Sequence, residues 1–172
     1  MIDWAAIVRE HGPLVMRTAF RLLGHDADAN DCFQRTFLAA VTLSRTEPIR
    51  HWPAALRHLA TATALQMLRT RIRLRPRSES LPETLAGTDI DPLDASAESE
   101  LADHLRIALA ELEPRHAELF CLVCFEGYSN RDAAEQQGIT DNHAGVLLHR
   151  IKGTLREKLK AHDPAIRWRT TP

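Results

Sequence analysis

Between Glu126 and Lys152 the chain gathers the residue types that read and grip a polyanion. Asn142 and His143 can hydrogen-bond base edges, while Arg131, His149, Arg150 and Lys152 can hold phosphates. Catalytic chemistry is less well provided for. The sequence has no Ser/His/Asp arrangement, no paired-carboxylate motif and, with 7 glycines in 172 residues, no glycine-rich phosphate loop, so an enzyme is not expected. Cys121 and Cys124 form a CxxC with His116 five residues earlier. The spacing falls inside an apolar stretch and no second ligand pair follows, so both are read as core residues, and neither metal nor cofactor is expected.

Reading a base edge requires a rigid element that enters a groove, and the flanking residues describe one. Ser129 is a good helix N-cap with Asp132 three residues on, and Ala133 and Ala134 are small where two helices must cross closely. Gly138 permits a tight turn, Ile139 plugs the core, and Thr140 or Asp141 caps a second helix. That order predicts a helix-turn-helix whose second helix enters the major groove by its N-terminal end, leading with Asn142 and His143. An αα-hairpin inside a bundle is the alternative for this segment.

The rest of the chain predicts an all-α fold. Leu14, Val15, Thr18, Ala19, Leu22 and Leu23 mark one helix that stops at Gly24, and Ala29, Cys32, Phe33, Thr36, Phe37, Ala40 and Val41 trace a second. A third starts near Trp52 with Pro53 in its first turn and runs through Leu56, Ala60, Ala64 and Leu68 to a basic end at Arg69, Arg71, Arg73 and Arg75. Leu101, Leu105, Ala108, Leu109 and Leu112 then form a helix stopped by Pro114, and Leu119, Leu122 and Val123 carry the next. Residues 76–98 hold three prolines and many acids, the composition of a flexible linker.

Net charge is −1 over the chain, yet residues 1–75 carry +5, residues 76–100 carry −6, and the last 28 residues again carry +5. Two basic surfaces joined by an acidic connector suit a polyanion gripped at two places. With 44% apolar and 26% charged residues the composition is that of a globular protein. The longest apolar run, Leu119 to Phe125, is far short of the ~20 residues that span a bilayer, so no membrane insertion is expected. The N-terminus does not resemble a secretory signal, which makes the cytoplasm the expected location. Three cysteines at these spacings argue against a disulfide framework. The expected organisation is two small helical domains, 1–75 and 99–172, each with its own apolar stripes, joined by the linker 76–98.

Several motifs carry a family resemblance. Ala110-Glu-Leu-Glu-Pro-Arg-His-Ala-Glu-Leu-Phe, Phe125-Glu-Gly-Tyr-Ser and Leu148-His-Arg-Ile-Lys-Gly-Thr-Leu-Arg-Glu-Lys-Leu resemble region four of bacterial extracytoplasmic-function (ECF) sigma factors. Ala19-Phe-Arg-Leu-Leu-Gly-His-Asp-Ala-Asp-Ala-Asn-Asp-Cys-Phe-Gln-Arg-Thr-Phe-Leu resembles region two of the same family. The resemblance implies a dissociable subunit of RNA polymerase that directs promoter-specific initiation and lacks the inhibitory and central domains of housekeeping sigma factors. Its partners would be core polymerase, through the coiled coil of the largest subunit and the flap, and promoter DNA; it also admits an anti-sigma protein. Asp28, Asp31 and Gln34 match the helix that docks on the coiled coil, although Arg35 stands where an acid is common, and Asp28 near a helix start also favours the helix dipole.

Thr46 to Trp52 and the third helix match the part that opens the minus-ten element and holds extruded bases. Trp52 offers a stacking face, and Arg50, His51 and Arg57 offer polar or cationic contacts, with Arg69 and Arg71 further along the helix; packing of Trp52 against the second helix is an equal alternative. The family's usual tryptophan before Leu56 is Ala55 here, and its Arg-Asn pair after Ala60 is Thr61-Ala62, so detailed base contacts do not carry over. Likewise Gly145-Val-Leu replaces a polar and basic set in the reading helix. Base reading is therefore expected to shift to Asn142 and His143, with Val146 or Leu147 meeting a thymine methyl or entering the core. Two other functions fit part of this pattern: a stand-alone helix-turn-helix regulator, and a protein-binding helical adaptor derived from a sigma factor.

Overall fold

The computed structural model of the chain describes the backbone of residues 2–74 and 92–160, and side chains within 2–74 and 100–160. Most of the acidic connector, together with His162, Arg167 and Arg169, lies outside the described residues. Among the described residues there are seven α-helices and no strand: α1 (Trp4–Leu23), α2 (Asp26–Thr46), α3 (Trp52–Leu74), α4 (Pro92–Glu111), α5 (Pro114–Cys124), α6 (Asn130–Gln137) and α7 (Asp141–Lys160). The expected all-α fold is what the chain adopts.

Local chemistry sets the helix ends. Asp3 caps α1 by accepting from the Ala6 amide at 3.0 Å. Gly24 ends it at φ 75°, a left-handed turn that a side chain would strain. Pro13 lies within α1, where a missing donor and a crowded carbonyl cost about 3 kcal/mol. Burial of Val15, Thr18, Ala19, Leu22 and Leu23 beyond it offsets that cost. Helix α4 reaches back to Pro92, into the segment read as linker. Proline is at home in a first turn, and the Ala- and Glu-containing stretch after it contains good helix formers.

Helices α1, α2 and α3 pack on one another around Val15, Phe37, Ala40, Leu56 and Ala60. Helices α4 to α7 form a second group. The halves are not separate bodies: one buried cluster contains Leu22, Leu23, Leu65 and Leu68 together with Leu109, Phe120, Cys121 and Leu148. Within it α3 packs against both α4 and α5.

One expectation needs correction. Cys121 is fully buried, but Cys124 is exposed, because it is the last residue of α5, where the chain turns away and few neighbours remain to cover it. Burial pushes the Cys32 thiol up to about 11 and drives Cys121 upward as well. Both therefore stay protonated at neutral pH, the unreactive form of a thiol.

Candidate nucleic-acid interface

The segment that sequence reading singled out folds as a helix-turn-helix. Ser129 accepts from the Asp132 amide at 3.1 Å, and its hydroxyl donates to the Asp132 carboxylate at 2.7 Å. Ala133 and Ala134 are buried at the crossing of α6 and α7. Gly138 takes φ 68°, and Ile139 packs against the core cluster. Of the two possible caps on α7 it is Thr140 that serves, accepting from the His143 amide at 3.3 Å.

Asn142 and His143 stand exposed in the first turn of α7, and His149, Arg150 and Lys152 are exposed further along it. Arg131 is exposed on α6. The positive end of the α7 dipole lies where Asn142 and His143 project, which suits approach to a phosphate-lined groove. Val146 is 46% exposed, whereas Leu147 is partly buried against the core cluster. Of the two, Val146 is the side chain free to meet a base methyl.

The N-terminal candidates are differently placed. Trp52 does not present a bare stacking face. Its indole packs edge-to-face with Trp4 of α1, with ring centroids 5.4 Å apart, and joins the cluster that includes Phe37 and Ala40 of α2. His51 caps α3, its Nδ1 accepting from the Ala54 amide at 3.2 Å, and Arg50 is exposed beside it. Arg57 lies 3.9 Å from Glu126. Arg69 has Nε and Nη2 buried without a hydrogen-bond partner. Arg71 donates to the Leu23 carbonyl at 3.2 Å and to Asp28 at 2.8 Å, joining the end of α1, the start of α2 and the last turns of α3.

That bond engages one polymerase candidate with one DNA candidate. Asp31 pairs with Arg35 at 2.9 Å on the same helix, so the basic residue that replaces the family's usual acid neutralises the neighbouring one. Gln34 borders an apolar groove of about 390 Å³ formed by Trp4, Val8, Phe33, Phe37, Leu38 and Val41. Leu38 is 66% exposed in it.

Sequence reading missed the residues that join the halves. Glu126 has a side chain only 8% exposed, accepts from Thr18 at 3.0 Å and lies 3.4 Å from Arg21. Arg21 also donates to the Phe125 carbonyl. The Tyr128 hydroxyl donates to the Ala54 carbonyl at 3.3 Å; burial raises its pKa, and Arg57 partly opposes the shift. His58 and Glu118 approach to 2.8 Å, near enough to pair when the imidazole is protonated, but not aligned as a hydrogen bond. The motif Phe125-Glu-Gly-Tyr-Ser was visible, but its partners lie 69 to 108 residues away, beyond what local periodicity can report.

Comparison with known proteins agrees with this architecture. Residues 7–74 match the sigma-70 region 2 family. The chain is 30% identical over 166 residues to the ECF RNA polymerase sigma factor SigE of Mycolicibacterium smegmatis, covering 95% of this chain and 64% of that relative. It is also 30% identical over 154 residues to the RNA polymerase sigma factor CarQ of Myxococcus xanthus, covering 87% of this chain and 84% of CarQ. The sigma factor RpoE of Bartonella quintana, solved in complex with the anti-sigma factor NepR, shares the fold with a TM-score of 0.54 at 21% identity, over 94% of this chain and 99% of that one. A region 2 bundle, a capped helix-turn-helix and relatives matched along nearly the whole chain place it in one family: the chain belongs to the ECF sigma factors of bacterial RNA polymerase.

Proposed function

We propose that this chain binds core RNA polymerase, directs it to promoter DNA and assists opening of the duplex, without a catalytic site of its own. In this reading residues 1–75 dock on the core enzyme and handle the minus-ten element, 76–98 connect, and 99–172 read the minus-thirty-five element. The observation that carries it is the union, in one chain, of a region 2 bundle with a helix-turn-helix whose α7 leads with exposed Asn142 and His143 and continues into exposed Arg150 and Lys152. The first two supply base-edge donors and acceptors, and the last two supply sequence-independent grip.

Polymerase docking is assigned to Asp28, Asp31 and Gln34 on α2, of which Gln34 adjoins the apolar groove at Trp4 and Leu38. An anti-sigma protein is a further proposed partner, and the cytoplasm the proposed location. Among the described residues no helix is long and apolar enough to cross a membrane.

Co-elution with purified core polymerase and a promoter fragment tests the reading. The wild-type chain is expected to form the ternary complex, and Asp31→Arg to weaken binding to core while leaving helicity intact. A well-folded chain that does not associate with core enzyme at all would refute it.

A further inference from the structure

We propose that Asn130, at the start of α6, reads a base edge through the gap that Gly145 leaves in the reading face of α7, and that its carboxamide selects an adenine. This rests on the reading in which the C-terminal half recognises the minus-thirty-five element, and names the residue that takes over from the missing side chain.

One face of α7 is turned to solvent. Asn142, Gly145, Val146 and His149 recur at i, i+3, i+4 and i+7, the spacing of a single helical stripe, while Ala144, Leu148, Ile151 and Leu155 are buried on the other side. At three of the four stripe positions a side chain stands exposed. The fourth carries none. Neither backbone nor packing demands a glycine there. The glycines with positive φ are Gly24, Gly127 and Gly138, and beyond its own helix a Cβ at position 145 would meet only the Asn130 Nδ2, at 4.0 Å, an ordinary contact distance. Glycine is also among the poorest helix formers. What it provides is room, since a bare backbone lets a ligand approach where a side chain would stand in its way.

Asn130 borders that room. It is the first residue of α6 and is exposed, and among the described residues its carboxamide has no hydrogen-bond partner. Its helix is held by the Ser129 cap and by the buried pair Ala133 and Ala134, a rigid mount of the kind that base reading requires. A carboxamide offers a donor and an acceptor side by side, the pattern that pairs with N7 and N6 of adenine in the major groove. Val146, 46% exposed one residue beyond the gap, suits a thymine methyl. A side chain that merely held a phosphate would gain nothing from an empty position 145; one that reaches a base edge past α7 needs it.

The test uses holoenzyme assembled from the full chain and core polymerase, bound to duplex DNA randomised across the upstream element, with the bound DNA sequenced. The wild-type chain is expected to select an adenine at the position that Asn130 reads. Asn130→Ala should lower that preference by about fivefold or more, the loss of one bidentate pair, and leave the other positions unchanged. Asn130→Asp should move the preference to cytosine, because a carboxylate accepts from the cytosine N4 amine and cannot donate to the adenine N7. Gly145→Leu keeps Asn130 but fills the gap, and should erase the same preference while helicity, read by circular dichroism, is retained. A selected element with no adenine that depends on Asn130 overturns the inference. A loss shared equally by all sequences in Asn130→Ala makes the residue a phosphate contact and overturns it too, as does an adenine preference that survives Gly145→Leu. If Asn142→Ala and His143→Ala also select the wild-type element, it is the reading of DNA by the C-terminal half that fails, and the inference with it.

Discussion

In the N-terminal bundle the side chains assigned to polymerase and DNA are mostly engaged with the protein: Asp28 with Arg71, Asp31 with Arg35, Trp52 with Trp4, Arg57 with Glu126. In the helix-turn-helix the assigned side chains, Arg131, Asn142, His143, His149, Arg150 and Lys152, all face solvent. The contrast suits the two proposed tasks. A side chain that reads the edge of an intact duplex can stand ready from a rigid helix. A surface that receives extruded bases needs exposed stacking faces and cations, and a protein that leaves these bare in its free form exposes apolar area and like charges. Here Trp52 and Arg57 are each engaged by a neighbouring side chain, while Arg50 is exposed.

The two halves should therefore respond differently to mutation. The largest effect is expected where they share a core. Phe120→Ala removes a ring that is 2% exposed and stacked edge-on against Phe125 at 5.6 Å, at a cost of about 3–5 kcal/mol. Denaturant unfolding should show one transition moving as a unit; two transitions, with only the C-terminal one shifted, would break the view that the cluster joins the halves. Next comes Trp52→Ala, which removes half of the Trp4–Trp52 pair and should cost about 2–4 kcal/mol by loss of buried area and ring contact. Asn142→Ala, by contrast, should leave the melting temperature unchanged while costing about 1–3 kcal/mol in binding to the preferred promoter. Equal stability losses for the two would erase the difference between the halves.

The sequence was legible wherever a structural rule is local. The helix stop at Gly24 and the turn at Gly138, both with positive φ, were marked by the one residue that takes this conformation without strain. The Ser129 cap and the small pair Ala133 and Ala134 could be placed from spacing alone. Thr140 and Asp141 could not be ranked as caps, since both types serve, and the Thr140 hydroxyl bond to the His143 amide settles it. The partner of Trp52 was not legible either, because Trp4 is 48 residues distant and belongs to a helix that an apolar pattern cannot orient against α3. Glu126 looked like one acid in a motif; only the fold puts Thr18, Arg21 and Arg57 around it.

Two smaller effects sharpen the comparison. Ser129→Ala deletes the α6 cap and should cost about 1 kcal/mol, measured as a shift in denaturant midpoint with unchanged slope. A loss below a few tenths would mean that α6 is held by packing alone. Arg150→Ala or Lys152→Ala should change stability by less than about 0.5 kcal/mol, yet flatten the salt dependence of promoter binding by about 0.9 per lost phosphate contact, equally for all sequences. An effect confined to one promoter sequence would make these residues base readers.

Transcription with purified core polymerase on a library of randomised promoter templates, with the 5′ ends of the products sequenced, tests the central claim most directly. The account predicts that adding the chain produces transcripts from a defined subset of templates that share two upstream elements, and that the subset changes when Asn142 or His143 is replaced. Transcripts no different from those of core enzyme alone, obtained with a folded chain that binds the polymerase, would contradict it.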